Sequence, residues 1–284
     1  MNTFTMAPCL GALLLLAATG AQAGSSWSFT TTGTQTNAGS FGNTRSYDAN
    51  SGGGNVTISA WSNTKNSTTS TSAYIESAYL GIYTGGLGVT NRDGATSAGD
   101  TYEGTITNST APGHTMDNEL RYDSMLFDFG SSAKLNSVTV GWWYTDSDLT
   151  VLAYTGTGTP TFTSANQSYS SLLSSGWSVV KANAGTTGTA NYSNVGQGAA
   201  QSTNSSTYAP VAVNDLNISA RYWLVGALNT LVQALPSGAT VNAGNDYVKI
   251  AAVSATYATP EPSGAVLVGG ALAGMYMLRR RQNG

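Results

Sequence analysis

The sequence has very few of the residues that most often carry chemistry in proteins. Among 284 residues it has one cysteine, one histidine and only 9% charged residues. With Cys9 as its single cysteine, the chain cannot form an internal disulfide or a cysteine-rich metal site. The single histidine, His114, is not accompanied by a Gly-x-Ser-x-Gly motif, so we interpret it as a loop residue and not as a catalytic base. The net charge of −3 at pH 7 also argues against a nucleic-acid-binding surface.

Aromatic residues and an alternating apolar–polar pattern indicate a folded, β-rich body. Aromatic residues make up 10% of the sequence, which is too many for a disordered chain. Val56, Ile58 and Ala60 alternate with other residues, as on a strand with one buried face. Similar patterns predict strands over 124–129, 138–144, 149–154, 177–182, 220–228 and 246–257. We therefore predict an all-β, jelly-roll-like antiparallel β-sandwich.

The residues between these strands give three further expectations. Residues 138–144 and 149–154 are predicted to form a hairpin around a solvated turn, because Asp and Ser favour turns. One short helix is predicted over 168–175, followed by a glycine that ends it. Segments rich in Ser, Thr, Asn and Gly predict long polar loops over 31–55, 62–71 and 183–210.

The first residues look like a secretory signal peptide. An apolar run of Leu and Ala leads to Ala21-Gln22-Ala23, which is a small-x-small cleavage site. No Lys or Arg precedes the apolar run, so only the amino terminus supplies positive charge there. We expect a signal-peptide helix within residues 1–23 and a mature chain that begins near Gly24 and has no cysteine.

The last residues have the features of a membrane anchor that is open to processing. Pro260-Glu261-Pro262 fixes an extended, solvated segment, because proline restricts both itself and the residue before it. Residues 264–278 carry no charge and predict a transmembrane helix of about 22 Å, which is short for a hydrocarbon core of about 30 Å. Three basic residues that we expect to stay cytoplasmic follow it: Arg279, Arg280 and Arg281.

In this order, the proline motif, the apolar run and the arginine cluster resemble the PEP-CTERM sorting signal of Gram-negative bacteria. The membrane enzyme exosortase recognises that signal. The resemblance implies that residues 260–284 are a sorting signal and that exosortase is a partner of this chain. It further implies cleavage near Pro260, Glu261 and Pro262, loss of the helix, and delivery of the body to the cell surface or extracellular matrix.

The middle of the body contains a series of short aspartate, glycine and aromatic motifs. They are Asp117-Asn118, Asp123 before Leu126-Phe127, Gly141-Trp142 before Asp146-Ser147-Asp148, Gly176-Trp177 and Tyr222-Trp223-Leu224. Over residues 110–230 these motifs are similar to those of a family identified as exosortase-dependent surface proteins. That family is defined by its sorting, so the resemblance implies a location and no particular chemistry.

Asp117, Asn118 and Asp123 are candidate ligands for a structural calcium ion. Calcium takes six to eight oxygen ligands, and their side chains supply such oxygens. The spacing is not that of an EF-hand loop, which has a glycine at position six and a closing glutamate. Further carboxylates are available from Asp128, Asp146 and Asp148. The alternative is that these aspartates are turn residues and that the protein binds no cofactor.

Trp143 is a candidate sugar-binding residue. Trp142 and Trp143 are adjacent on a predicted strand and therefore lie on opposite faces, so one is expected in the core and Trp143 on the solvent face. An exposed indole ring can stack on a sugar. The carboxylates offer less support for a glycoside hydrolase, because Asp123 and Asp128 are five residues apart and point to opposite faces of their strand.

The main hypothesis is therefore a secreted bacterial protein without catalytic activity. Its β-sandwich body, residues 24–259, would be exported through the inner membrane, held by the C-terminal helix, and displayed at the cell surface or in the biofilm matrix. The alternative is a carbohydrate-binding module that contacts exopolysaccharide. A secreted hydrolase is the third possibility. None of these hypotheses requires a nucleic-acid partner or a catalytic cofactor.

Overall fold

The computed structural model describes most of the body and a few residues of the C-terminal tail. The described residues are 23–65, 73–93, 114–182, 188–192, 198–202, 210–235, 241, 244–257, 274–275 and 279–281. Of these residues, 53% lie in strands and 6% in helical segments. The part from Ala23 to Tyr257 forms one compact unit. The prediction of an all-β, antiparallel fold is confirmed.

The described strands all belong to a single hydrogen-bonded sheet. In chain order they are β1 (Ala23–Ser28), β2 (Thr34–Thr36), β3 (Thr44–Tyr47), β4 (Val56–Lys65), β5 (Tyr74–Ser77), β6 (Tyr79–Tyr83), β7 (Gly86–Thr90), β8 (Met116–Asp117), β9 (Asp123–Thr145), β10 (Leu149–Tyr154), β11 (Trp177–Val179), β12 (Asn191–Tyr192), β13 (Gly198–Ser202), β14 (Val211–Ala212), β15 (Ala220–Ala227) and β16 (Tyr247–Tyr257). Every pairing between these strands is antiparallel.

β9 is the longest strand, and its two parts have different neighbours. Residues 123–128 lie between β4 and β15. Residues 133–145 lie between β16 on one side and β13 and β14 on the other. Between the two parts, Gly130 has a φ of 72°, which favours glycine, and its amide donates to Asp128 Oδ1 at 2.8 Å. The strand therefore bends at Gly130 without ending there.

The remaining strands extend the sheet from these two parts of β9. Beside the first part, β4 continues through β3 to β2, and β15 continues through β10 to β11. Beside the second part of β9 lies β16. The other edge of β16 pairs with β1, β7 and β8 along successive portions of its length. β6 completes that side by pairing with β7.

Aromatic side chains from different strands meet in the main core. Trp27 in β1 and Phe129 in β9 have ring centroids 5.1 Å apart, and Phe29 lies 6.0 Å from Phe127 and 4.9 Å from Tyr47. A second, smaller core lies under the connection between β10 and β11. Its largest members are Phe162, Tyr169, Trp177 and Tyr222.

Several strand predictions are confirmed, and one pairing prediction is wrong. The alternating segment that starts at Val56 forms β4, and Val56, Ile58 and Ala60 are fully buried. The segments predicted at 177–182, 220–228 and 246–257 form β11, β15 and β16. The predicted hairpin of 138–144 with 149–154 is not present, because β10 pairs with β11, β12 and β15 instead of β9.

Two other expectations are changed by the structure. The predicted short helix is a single 3₁₀ segment, Tyr169–Ser174, which buries Tyr169 and Leu172. The predicted polar loop at 31–55 contains β2 and β3, which sequence periodicity did not reveal. Residues 62–65 of the second predicted loop form the end of β4, where Ser62, Asn63 and Thr64 are buried, and residues 66–71 lie outside the described part. The third predicted loop contains β12 and β13.

The C-terminal tail is described at only five positions. Residues 274–275 and 279–281 are exposed and in helical conformation. Among the described residues, none of the helices combines the length and the apolar character that a membrane span requires. Most of the predicted span at 264–278, and all of the predicted signal peptide before Ala23, lie outside the described residues.

Candidate functional site

Three aspartate side chains meet inside the body where β9 ends and β16 begins. Asp146 and Asp148 lie in the connection from β9 to β10, and Asp246 is the residue before β16. One carboxylate oxygen from each lies within 4.8 Å of the other two. The exposed fractions of the three residues are 5%, 0% and 0%. Asp146, Asp148 and Asp246 are called the acidic cluster below.

The backbone after β9 places two of these aspartates inside the body. Thr145 has a φ of 57°, and the amide of Asp146 donates to the carbonyl two residues earlier at 2.7 Å. The amide of Asp148 then donates to Asp246 Oδ1 at 2.6 Å, and its carbonyl accepts from the amide of Leu228 at 3.0 Å. The predicted solvated turn is therefore wrong, because the end of β15 and the start of β16 cover this connection.

Asn118 connects the acidic cluster to β8 and to the end of β15. Its Nδ2 donates to Asp246 Oδ2 and to the carbonyl of Leu228, both at 2.9 Å. Its Oδ1 accepts from the amide of Asp246 at 2.7 Å. With the Asp148 amide on Oδ1, each carboxylate oxygen of Asp246 accepts one hydrogen bond. The side chain of Asp246 therefore has a fixed position.

Burial and the two neighbouring carboxylates raise the pKa of Asp246 to about 9. Burial is the largest cause, followed by the charges of Asp148 and Asp146. The hydrogen bonds from the Asp148 amide and from Asn118 favour the ionised form, but they only partly oppose these causes. At neutral pH the Asp246 carboxyl therefore carries a proton unless a cation compensates its charge.

The acidic cluster can lower its electrostatic energy in two ways. A proton on Asp246 removes one of three like charges. A divalent cation that prefers oxygen ligands, such as calcium, could contact all three carboxylates and would compensate two of their three charges, with further oxygens completing its coordination. Because a proton also lowers the electrostatic energy, the cluster by itself assigns no metal.

The calcium ligands predicted from the sequence are only partly brought together here. Asn118 reaches the acidic cluster, whereas Asp117 and Asp123 are not members of it. Asp117 Oδ1 accepts from the amide of Glu119 at 3.0 Å, which is the role of a turn residue. Asp123 begins β9, and its Oδ1 accepts from Asn91 Nδ2 at 3.5 Å. The calcium prediction at these residues remains a prediction.

His114 lies beside a buried lysine. The His114 and Tyr83 rings are 4.4 Å apart. Burial and the positive charge of Lys249 lower the pKa of His114. Lys249 Nζ lies 4.6 Å from the centre of the Trp142 ring and 5.4 Å from that of Tyr83, and burial lowers its own pKa to about 8. A neutral histidine beside a cation has the charge environment opposite to that of a catalytic His-Asp pair.

The expectation that Trp143 stands on the solvent face is contradicted. Trp143 belongs to the main core and is 6% exposed. Trp142, on the other face of β9, is 9% exposed because Lys249 lies over its ring and Gly85 packs against its Cβ. Both faces of β9 are covered at this point, so neither indole ring offers a face on which a sugar can stack.

The residues predicted for processing lie at or beyond the edges of the described body. Ala21 and the motif Pro260, Glu261 and Pro262 lie outside the described residues. Ala23 is the first residue of β1 and is paired with Tyr257, the last residue of β16. The basic residues Arg279, Arg280 and Arg281 are exposed.

Comparison of this chain with protein-family models, with curated proteins and with solved structures finds no match.

Proposed function

We propose that this chain is a secreted, non-enzymatic bacterial protein that an exosortase-type enzyme sorts to the cell surface or extracellular matrix. The observation that carries the proposal is the order of features at the C-terminus. Pro260-Glu261-Pro262 is followed by the uncharged run 264–278 and then by Arg279, Arg280 and Arg281. This order suits a protein that is exported, stopped in the inner membrane by its basic end, and then cut before the apolar run.

The bounds of the folded body support this proposal. The first residue of β1, Ala23, is also the last residue of the predicted signal peptide. β16 ends at Tyr257, three residues before Pro260. Cleavage after Ala23 would remove one residue from the β1–β16 pairing and leave the pairs from Gly24 with Thr256 onward. Both predicted cuts therefore leave the sheet almost complete.

We further infer that the single sheet folds into a two-layered β-sandwich. The two parts of β9 belong to different groups of strands, and Phe29, directly after β1, meets Phe127 in the first part of β9. Contact between side chains of strands that are not neighbours in the sheet is expected when two layers face each other. The jelly-roll-like connectivity, the signal-peptide helix and the transmembrane helix belong to the same proposal.

The buried position of the acidic cluster supports a non-enzymatic body. The acidic cluster is enclosed by β8, β15 and β16, and Asp148 and Asp246 have no exposed surface. A general acid or base must come within hydrogen-bond distance of its substrate. A carbohydrate-binding module remains the alternative, and it needs a surface other than Trp143. Tyr74, 38% exposed at the start of β5, is one aromatic side chain that could serve.

The proposal is tested by fractionation of the organism that carries this sequence, with and without its exosortase-type enzyme. With the enzyme, the protein is expected in the surface or matrix fraction without residues 264–284. Without the enzyme, an uncut precursor is expected in the membrane fraction. The same location and the same length in both strains would contradict the proposal.

A further inference from the structure

β1 is the first strand of the described body, and its sheet partner β16 is the last. Their register runs from Ala23 opposite Tyr257 to Ser28 opposite Ala252. On its other edge, β1 makes a single bridge, between Ser26 and Ser51. One short strand therefore joins the two ends of the body, and almost all of its ladder is made with a strand that is distant in sequence.

β1 also supplies a large part of the main core. Trp27 and the following Phe29 are both fully buried. The rings that they contact are those of Tyr47, Phe127, Phe129 and Tyr257. We call the edge of β16 at residues 252–257, together with these four rings, the β1 groove. Without β1 this groove would expose unpaired backbone groups and aromatic surface, and both favour association with another chain.

The connection after β1 is exposed, whereas the chain beyond it is fixed to the body. Residues 30–33 are exposed, and Gly33 has a φ of 61°. Arg45 Nη1 donates to the carbonyl of Thr32 at 2.7 Å, and the Tyr47 hydroxyl donates to the carbonyl of Thr31 at 3.2 Å. If the hydrogen bond from Tyr47 to Thr31 breaks, residues 30 and 31 can change direction while Arg45 still holds Thr32 just before β2. A short exposed connection of this kind is where exchange of a terminal strand between copies begins.

Export gives this exchange a physical cause, and at this step the inference rests on the proposed function. Removal of a signal peptide after Ala23 frees the end of β1. A chain that is exported from its N-terminus delivers β1 first and β16 last, so β1 lacks its own pairing strand during most of the process. Closing a loop as long as the body costs conformational entropy. A neighbouring copy whose own β1 is not yet in place offers an identical groove without that loop.

We propose that β1 is exchanged between copies, so that residues 24–29 of one copy fill the β1 groove of a second copy. The strand makes the same hydrogen bonds and ring contacts in either groove, so exchange is decided by the local concentration of chains. At a cell surface or in a matrix, where copies are concentrated, exchange links them non-covalently.

Engineered disulfides can report which chain fills the groove. Ser26 and Ser254 are directly opposite and partly exposed, at a separation suited to a disulfide. In the full-length chain carrying Cys9→Ala, the test pair is Ser26→Cys with Ser254→Cys. The matched control is Ser137→Cys with Ser254→Cys, because Ser137 Oγ lies 2.6 Å from Ser254 Oγ and both strands belong to one copy in either arrangement. Exported protein is run on non-reducing gels at low and high expression.

We expect the test pair to give dimers or longer ladders that disappear on reduction and increase with expression, while the control pair stays monomeric. A test pair that is oxidised but monomeric overturns the inference and leaves the proposed function intact. If the control pair is oxidised but the test pair forms no disulfide, the β1–β16 register is contradicted and the inference is overturned. Ladders from both pairs would mean random crosslinking and also count against it. Retention of the chain in the cytoplasm would contradict the proposed function and, with it, this inference.

Discussion

At the scale of single residues, Asp246 links the structure to pH. Its pKa is raised to about 9 in the folded protein, against about 3.9 for an unfolded aspartate. At a pH between these two pKa values, Asp246 keeps a proton in the folded state that it releases in the unfolded state. The contribution of Asp246 to the free energy of unfolding should therefore fall as pH rises from about 4 to about 9, by at most about 1.4 kcal/mol for each pH unit.

We predict that Asp246→Asn removes most of this dependence. Urea unfolding at pH 5, 7 and 9, with chelator present, measures the difference in unfolding free energy between variant and parent. The difference is expected to change in favour of the variant as pH rises. Asp215→Asn, at an exposed aspartate, serves as the control and should show no such trend. A difference for Asp246→Asn that does not vary with pH would contradict the raised pKa.

The calcium prediction is also decided by single residues. A ligand that binds only the folded state raises its stability by mass action. If the protein binds calcium, chelator lowers the melting temperature and added calcium restores it. Asp123→Asn then tests the site predicted from the sequence, and Asp148→Asn tests the acidic cluster. A melting temperature that is indifferent to chelator and calcium removes the metal and leaves Asp246 neutralised by a proton alone.

At the scale of elements, the strands that are readable in the sequence are those with one consistently buried face. β4 is one example, because Val56, Ile58 and Ala60 alternate with partly exposed residues. The sequence predicts two strands, 124–129 and 138–144, where the structure has the single strand β9, which bends at Gly130. Local pattern can locate a strand but cannot determine whether it continues with new neighbours.

Pairing between distant strands could not be inferred from the sequence for a related reason. The predicted hairpin joined strands that are neighbours in sequence. In the structure, β10 pairs with β15, and β9 pairs with β16. Asp246 was missed as a member of the acidic cluster because only the register of β16 with β9 brings it to Asp146 and Asp148. Trp143 was expected at the surface because period-two alternation assumes one solvated face, and both faces of β9 are covered there.

The two glycines of β9 give an element-scale prediction. A Cβ at Gly141 would lie 2.2 Å from the carbonyl oxygen of Gly85, so Gly141→Ala forces two backbones apart. A Cβ at Gly130 meets nothing within 4 Å, so Gly130→Ala adds only the strain of a left-handed residue, about 1–2 kcal/mol. We expect Gly141→Ala to lower the unfolding free energy by about 3 kcal/mol or more. Equal losses for the two variants would contradict the close approach of the β6–β7 connection to β9.

At the scale of the whole molecule, we propose that sorting depends on the basic end of the chain. We predict that replacing Arg279, Arg280 and Arg281 with Gln removes the cytoplasmic stop, since positive charge holds a segment on the inner side. The protein should then appear in the medium with its tail uncut. The three-Lys variant, which keeps the charge, is the control and should be retained and processed. Unchanged sorting of the Gln variant would contradict this role for the arginines.

Processing at both ends of the chain is measured most directly by the intact mass of the protein recovered from the cell surface or matrix, with its two terminal peptides sequenced. We predict a chain that begins at Gly24 and ends at or near Pro260-Glu261-Pro262, so that only the β-sheet body remains. A surface-recovered chain that still contains residues 264–281 would contradict processing at the proline motif. A chain that still contains residues 1–23 would contradict export through a cleaved signal peptide.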